Sequence, residues 1–184
     1  GDGQARAGVL IRGMAIPDGT IIDGPSLTVD HLLARTGETH PRTLDRKIGD
    51  RHAWVAAAPI CIRTLKKPRN QPIYRTPRVG LSLRRAAGRA EMLRFLMRPY
   101  RFLTEPRGIA KGRPHLVLSL HQEGRSVSEI AAISGVPNHV INNDIAHFEA
   151  GKLESDFTPF IGKQLTTAEL CRLMGTWAAT YGER

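Results

Sequence analysis

Fifteen lysine and arginine residues fall between Arg63 and Arg113, against only two acids, Glu91 and Glu105. Charge this dense belongs on a surface. The block has a balance of +13, larger than the +10 of the whole chain, because residues 1–62 balance to zero and residues 114–184 carry −3. A field concentrated in one segment is what a polyanion-binding surface requires. Turn formers (Pro68, Pro72, Pro77, Gly80, Pro99) and aromatics (Tyr74, Phe95, Tyr100, Phe102) are interleaved with the cations. That texture argues against a floppy basic tail and for a folded, phosphate-facing surface. The prolines also break any basic amphipathic helix that would lie on a membrane, so nucleic acid is the expected partner.

The 184 residues suffice for one ordinary domain and a small appendage. No apolar run approaches the roughly 20 residues that span a bilayer, and no charged-then-apolar leader is visible. The chain begins at Gly1, so a truncated or processed N-terminus is expected. Cys61 and Cys171 lie too far apart in sequence for a CxxC site or a disulfide framework. Both are expected to be reduced and structural, which favours a cytoplasmic, or in a bacterium nucleoid-associated, location.

Residues 7–16, with Val9, Leu10, Ile11 and Met14, read as a buried strand closed by the Asp18-Gly19 turn. Gly24-Pro25-Ser26 opens a short helix, capped by Ser26, with Val29, Leu32 and Leu33 on one face and Gly37 beyond its end. Residues 38–51 read as loop. Further strands are expected over Trp54–Leu65 and Ile73–Leu83, and the apolar stretch Met92–Met97 stops at Arg98-Pro99. The texture changes after Pro106. Leu116–Leu120 looks helical and Gly124 closes it. Ser126-x-x-Glu129 and Thr166-x-x-Glu169 are capping boxes, each starting a helix. The expectation is therefore an α+β domain over 1–104, with a partial mixed or antiparallel sheet and short helices. An all-helical module over 105–184 follows, trihelical over 114–149 with a terminal helix over 165–181.

Residues 127–145 fit a helix-turn-helix template. Ala131 is small where helices cross, Gly135 takes the turn, Asn138 caps the next helix, and Val136, Ile141 and Ile145 pack inward. Such a motif sets its second helix in the major groove. Asn138, His139, Asn142 and Asn143 are the base-reading candidates, since asparagine pairs bidentately with adenine. However, Pro137–Gly151 holds no lysine or arginine, and Asp144 and Glu149 would repel phosphate. A DNA-contacting module and a structural or protein-contacting one both stay open.

No serine-histidine-aspartate, Walker or HExxH pattern occurs, and the seven histidines do not fall at metal-ligand spacing. No metal and no cofactor is expected. Arg12 stands apart: strand alternation puts it with Leu10 and Met14 on one face, and an arginine among apolar residues needs a carboxylate, a phosphate or water. A structural pair with Asp2, Asp18 or Asp23 and a functional role are the two options.

These residues carry a resemblance. Gly8-Val9-Leu10-Ile11-Arg12-Gly13-Met14, Pro17-x-Gly19, Gly24-Pro25-Ser26-Leu27 with Leu32–Gly37, Thr76-Pro77-Arg78-Val79-Gly80-Leu81 and Arg98-Pro99-Tyr100-Arg101-Phe102 follow in order. Over residues 1 to about 103 this resembles the alkyladenine (3-methyladenine) DNA glycosylases. The resemblance implies an enzyme that extrudes a damaged purine from duplex DNA and hydrolyses its glycosidic bond with carboxylate-activated water. It implies that Arg12 helps position that water, that Leu10, Val79 and Leu81 line the base pocket, and that Arg78, Arg84, Arg85, Arg98 and Arg101 grip phosphates. The family's catalytic glutamate, stacking aromatics and intercalating residue precede the strand with which this chain starts, so the catalytic glutamate is expected upstream. The expected partner is double-stranded DNA containing alkylated or deaminated purines, with no membrane involved. Two other readings compete: a non-enzymatic DNA-binding regulator using the helix-turn-helix, and an RNA- or ribosome-associated basic protein.

Overall fold

In the computed structural model, which describes residues 8–64, 66–67, 70–85 and 90–182 (side chains of 85, 90 and 91 excepted), the chain forms two compact units, Gly1–Asn70 and Gln71–Arg184. Six α-helices and two small antiparallel sheets occur among the described residues, an α+β composition.

In the first unit, β1 (Gly13–Ala15) pairs with β2 (Ile21–Asp23), with Gly13 opposite Asp23 and Ala15 opposite Ile21. Asp18-Gly19 makes the expected turn: Gly19 takes φ 89°, and Thr20 N donates to Asp18 Oδ1 at 2.8 Å. The buried strand expected over 7–16 is corrected. Its partner runs over three residues only, so among the described residues no strand pairs with residues 8–12. Val9, Leu10 and Ile11 are 93%, 63% and 53% exposed.

Gly24 N donates to Arg12 O at 2.7 Å, and Pro25 then opens α1 (Pro25–Thr36). Ser26 lies inside this helix rather than capping it. Gly24 holds the cap position with no side-chain cap, which the proline at N1 makes tolerable because it has no N–H to satisfy. Gly37, left-handed at φ 71°, ends the helix.

Residues 38–51, expected as loop, contain α2 (Pro41–Ile48). Its cap is His40, whose Nδ1 accepts from Arg42 N at 3.0 Å, a residue outside the usual capping set. The strand expected over Trp54–Leu65 is replaced by turns through the described part of that span, with Trp54 73% and Ile62 71% exposed. Leu65 itself lies outside the described residues. Among the described residues of this unit the buried side chains are Thr28, Leu33, Leu44 and Ala58.

In the second unit, β3 (Tyr74–Thr76) pairs antiparallel with β4 (Arg101–Leu103), Arg75 opposite Phe102. The strand expected over Ile73–Leu83 ends at Thr76, before Pro77, which has no N–H for a ladder. Leu83–Arg85 and Ala90–Phe95 are 3-10 turns. Four helices follow: α3 (Arg113–Gln122), α4 (Val127–Ser134), α5 (Asn138–Lys152) and α6 (Thr167–Tyr181). Both capping boxes form as expected at Ser126/Glu129 and Thr166/Glu169.

Two apolar clusters hold this unit. Ile109, Leu116, Val117, Leu120, Ile130, Val136 and Ile141 form one, with Tyr74 and Leu103 packed on it. The other joins Leu83, Leu96 and Met97 to Leu118, Phe148, Phe160, Leu173 and Met174. These contacts put residues 71–104 with the helices, so the compact units divide at Asn70/Gln71 rather than near 104. Helices α5 and α6 touch backbone to backbone. A Cβ on Gly151 would collide with Arg172 O, one on Gly175 with Phe148 O, and Thr176 Oγ1 donates to Gly151 O at 3.1 Å.

Candidate nucleic-acid interface

The two C-terminal segments of the resemblance meet in the β3–β4 hairpin, where Thr76 stands opposite Arg101. Strand alternation divides the hairpin into two faces. Tyr74, Thr76, Arg101 and Leu103 turn toward the helices: Thr76 is fully buried and Arg101 is 8% exposed. Arg75 and Phe102 turn outward. The Arg75 guanidinium lies 5.9 Å from the Phe102 ring centroid, within cation–π reach.

Arg101 therefore presents almost nothing to a partner. Gly112, left-handed at φ 85°, has room for no side chain, since a Cβ there would collide with Arg101 Nη1 and Val79 Cγ2. His115 sits close by, 5% exposed, and burial followed by the neighbouring Arg101 charge lowers its pKa to about 4. It is neutral at physiological pH. Arg78 and Arg84 are exposed, Arg98 is half-buried, and Arg85 has its side chain outside the described residues. Leu81 is 37% exposed, and Val79 is half-buried against Gly112. Leu10 and the half-buried Arg12 belong to the first unit, Val79 and Leu81 to the second.

Arg98 also borders a cleft of about 270 Å³ within the second unit, which it shares with Arg75, Pro99, Trp177 and Tyr181. The Trp177 indole N–H is committed to Leu93 O at 2.8 Å, so its ring is fixed in place.

Between α4 and α5 the turn Gly135-Val136-Pro137 is tight. Gly135 takes φ 71°, and Ser134 Oγ donates to Ile130 O at 2.7 Å while accepting from Val136 N at 3.2 Å. Pro137, not Asn138, occupies the cap position of α5, so Asn138 is the first helical residue. Asn138, His139, Asn142 and Asn143 are all exposed on the N-terminal half of α5.

Two features of this region differ from the sequence expectation. Asp144 does not face outward: it is 3% exposed and turned onto α6, where the Cys171 thiol is its partner. Burial raises its pKa, against the lowering effect of Cys171 and His147, and burial plus the Asp144 charge pushes the Cys171 thiol up as well. Glu149 is exposed but engaged by Lys152 at 3.0 Å and by His121 at 3.1 Å. Burial raises its pKa, and these bonds more than offset that.

Arg107, from the basic block, returns to the α4–α5 turn. Its Nε donates to Ala132 O at 3.0 Å, and its Cγ would lie 3.8 Å from a Cβ on Gly135. Thus the fold delivers a cation to a motif whose own sequence has none between Pro137 and Gly151. Neither Arg75 nor Arg107 stood out in the sequence. Tyr74-Arg75-Thr76 carried a usable signal, since a central cation between two inward residues must face out, whereas nothing local to Arg107 announces its position.

Among the described residues no cluster of histidine, cysteine, aspartate or glutamate could hold a metal ion, and no helix is long and apolar enough to cross a membrane. Compared with known proteins, the chain matches no family model, no curated protein and no solved structure.

Proposed function

We propose that this chain is the DNA-gripping C-terminal portion of a base-excision glycosylase that removes alkylated or deaminated purines from duplex DNA. One observation carries the reading: the β3–β4 pairing sets Thr76, the first residue of one segment of the resemblance, opposite Arg101 in another that lies beyond a basic stretch of sequence. Exposed Arg78 and Arg84 flank that junction as phosphate ligands. On this reading Arg12 positions the attacking water. The product of the complete reading frame should release hypoxanthine or 3-methyladenine from a duplex oligonucleotide. Arg12→Ala should reduce release far more than duplex affinity. Binding of damaged DNA without any base release would rule the enzyme reading out.

A second reading has its own support. In it, α4 and α5 form a helix-turn-helix that reads sequence as part of a non-enzymatic regulator. Inward Asp144 and the arrival of Arg107 at the turn remove two electrostatic objections to that role. It would be favoured if Asn142→Ala relaxed a sequence preference while base release stayed absent.

A further inference from the structure

Three large apolar or aromatic side chains on and beside the β3–β4 hairpin are left in solvent: Ile73 is 64%, Tyr100 58% and Phe102 62% exposed. Their inward neighbours Thr76 and Leu103 are packed, so the exposure belongs to the outer face rather than to a loose hairpin. Arg75 and Phe102 stand opposite each other on that face, and Ile73 and Tyr100, each two residues earlier in sequence and just outside the paired strands, flank them with an apolar side chain and a second ring. Arg75 then continues into the cleft with Arg98, Trp177 and Tyr181, whose volume of about 270 Å³ is near the lower end for small-ligand sites.

From this arrangement we infer that the outer face of the hairpin is a stacking platform for an unpaired DNA strand, with the adjoining cleft accepting one unstacked base. The inference goes beyond excision from duplex DNA and does not require it. Two physical requirements select the ligand. The surface lies within residues 71–113, which hold eleven lysines and arginines against two acids, so a polyanion is the complementary occupant. Tyr100 and Phe102 leave most of their surface in solvent, and an occupant that offers π-faces suits them. A duplex keeps its base faces inside the stack and shows only edges and phosphates, whereas each base of a single strand has a face to give, at a cost in affinity of tenfold or so when one platform ring is removed. The cation above Phe102 adds to the same contact.

The test compares fluorescently labelled dodecamers of deoxyadenosine with a 12-base-pair mixed-sequence duplex, by anisotropy, on the 184-residue chain. Phe102→Ala and Tyr100→Ala should each weaken single-strand binding by about tenfold while leaving duplex binding within about twofold. Phe102→Leu keeps apolar bulk on the strand without a ring, and should lose single-strand affinity like Phe102→Ala if stacking is the cause. Full retention by Phe102→Leu, or equal losses on both DNA forms, would overturn the platform. So would tighter binding of the matching adenosine ribo-oligomer, which would assign the surface to RNA. Because the readout is equilibrium binding and not base release, its failure leaves the glycosylase reading standing, and the reverse also holds.

Discussion

Asp144 shows how one residue can change meaning between sequence and structure. As a letter next to the exposed Asn142 and Asn143 it reads as a repulsive charge facing a partner. Its position three residues after Ile141, which is fully buried, puts it on the inward face of α5, and α6 supplies Cys171 to meet it. That face was readable from the helical period; the thiol partner, some two dozen residues on, was not. A consequence for stability follows. Burial holds the Asp144 carboxyl above its ordinary value of 3.8, so the folded state keeps its proton more firmly than the unfolded one. Its contribution is therefore favourable at low pH and is lost as pH rises from the unfolded value through the folded one. Asp144→Asn retains an acceptor for the thiol and never ionises. Its stability relative to wild type should rise between about pH 3 and about pH 7, measured as the difference in denaturation midpoint at the two ends. A pH-independent difference would show that the carboxyl is not the strained group.

At the scale of elements, legibility followed chemistry that is local. Both capping boxes, the Gly37 and Gly135 terminations and the Asp18-Gly19 turn were all readable, because each satisfies backbone groups with residues no more than a few positions away. Ser126→Ala and Thr166→Ala should each cost about 1 kcal/mol, lowering Tm by a few degrees for a chain of this length. A thermal melt of each variant checks this, and an unchanged Tm would mean that the caps are redundant with packing. Where structure depended on partners distant in sequence, reading failed. Residues 8–12 and 54–62 have strand-like composition, yet a strand needs a neighbour to pair with, and among the described residues none is supplied to them. Helix α2 is hidden in the sequence for the opposite reason, since a histidine cap and a mostly polar surface conceal it. The candidate interface divides the same way: exposed Arg78 and Arg84 were identifiable as cations, while the burial of Arg101 and the placement of Arg107 come from tertiary packing.

For the whole molecule, the two units differ in how much holds them. The second has two connected apolar clusters and a close helix crossing; the first buries four side chains among its described residues, none larger than leucine. A unit of about 70 residues with so little core is marginal by itself. Residues 71–184, produced alone, should retain their helical circular dichroism and a cooperative melt, whereas the complete chain should show an earlier, weaker transition from residues 8–70. Loss of cooperativity in the 71–184 fragment would show that its fold depends on the first unit. The placement of the two tryptophans makes the molecule report on itself optically. Trp54, 73% exposed and stacked on His52 at 5.4 Å, has little shelter from water to lose on unfolding. Trp177, 7% exposed and anchored to Leu93, alone has a sheltered environment to lose. A shift of the emission maximum is thus a private signal of the second unit, and one that also watches the cleft where a stacked base would quench it.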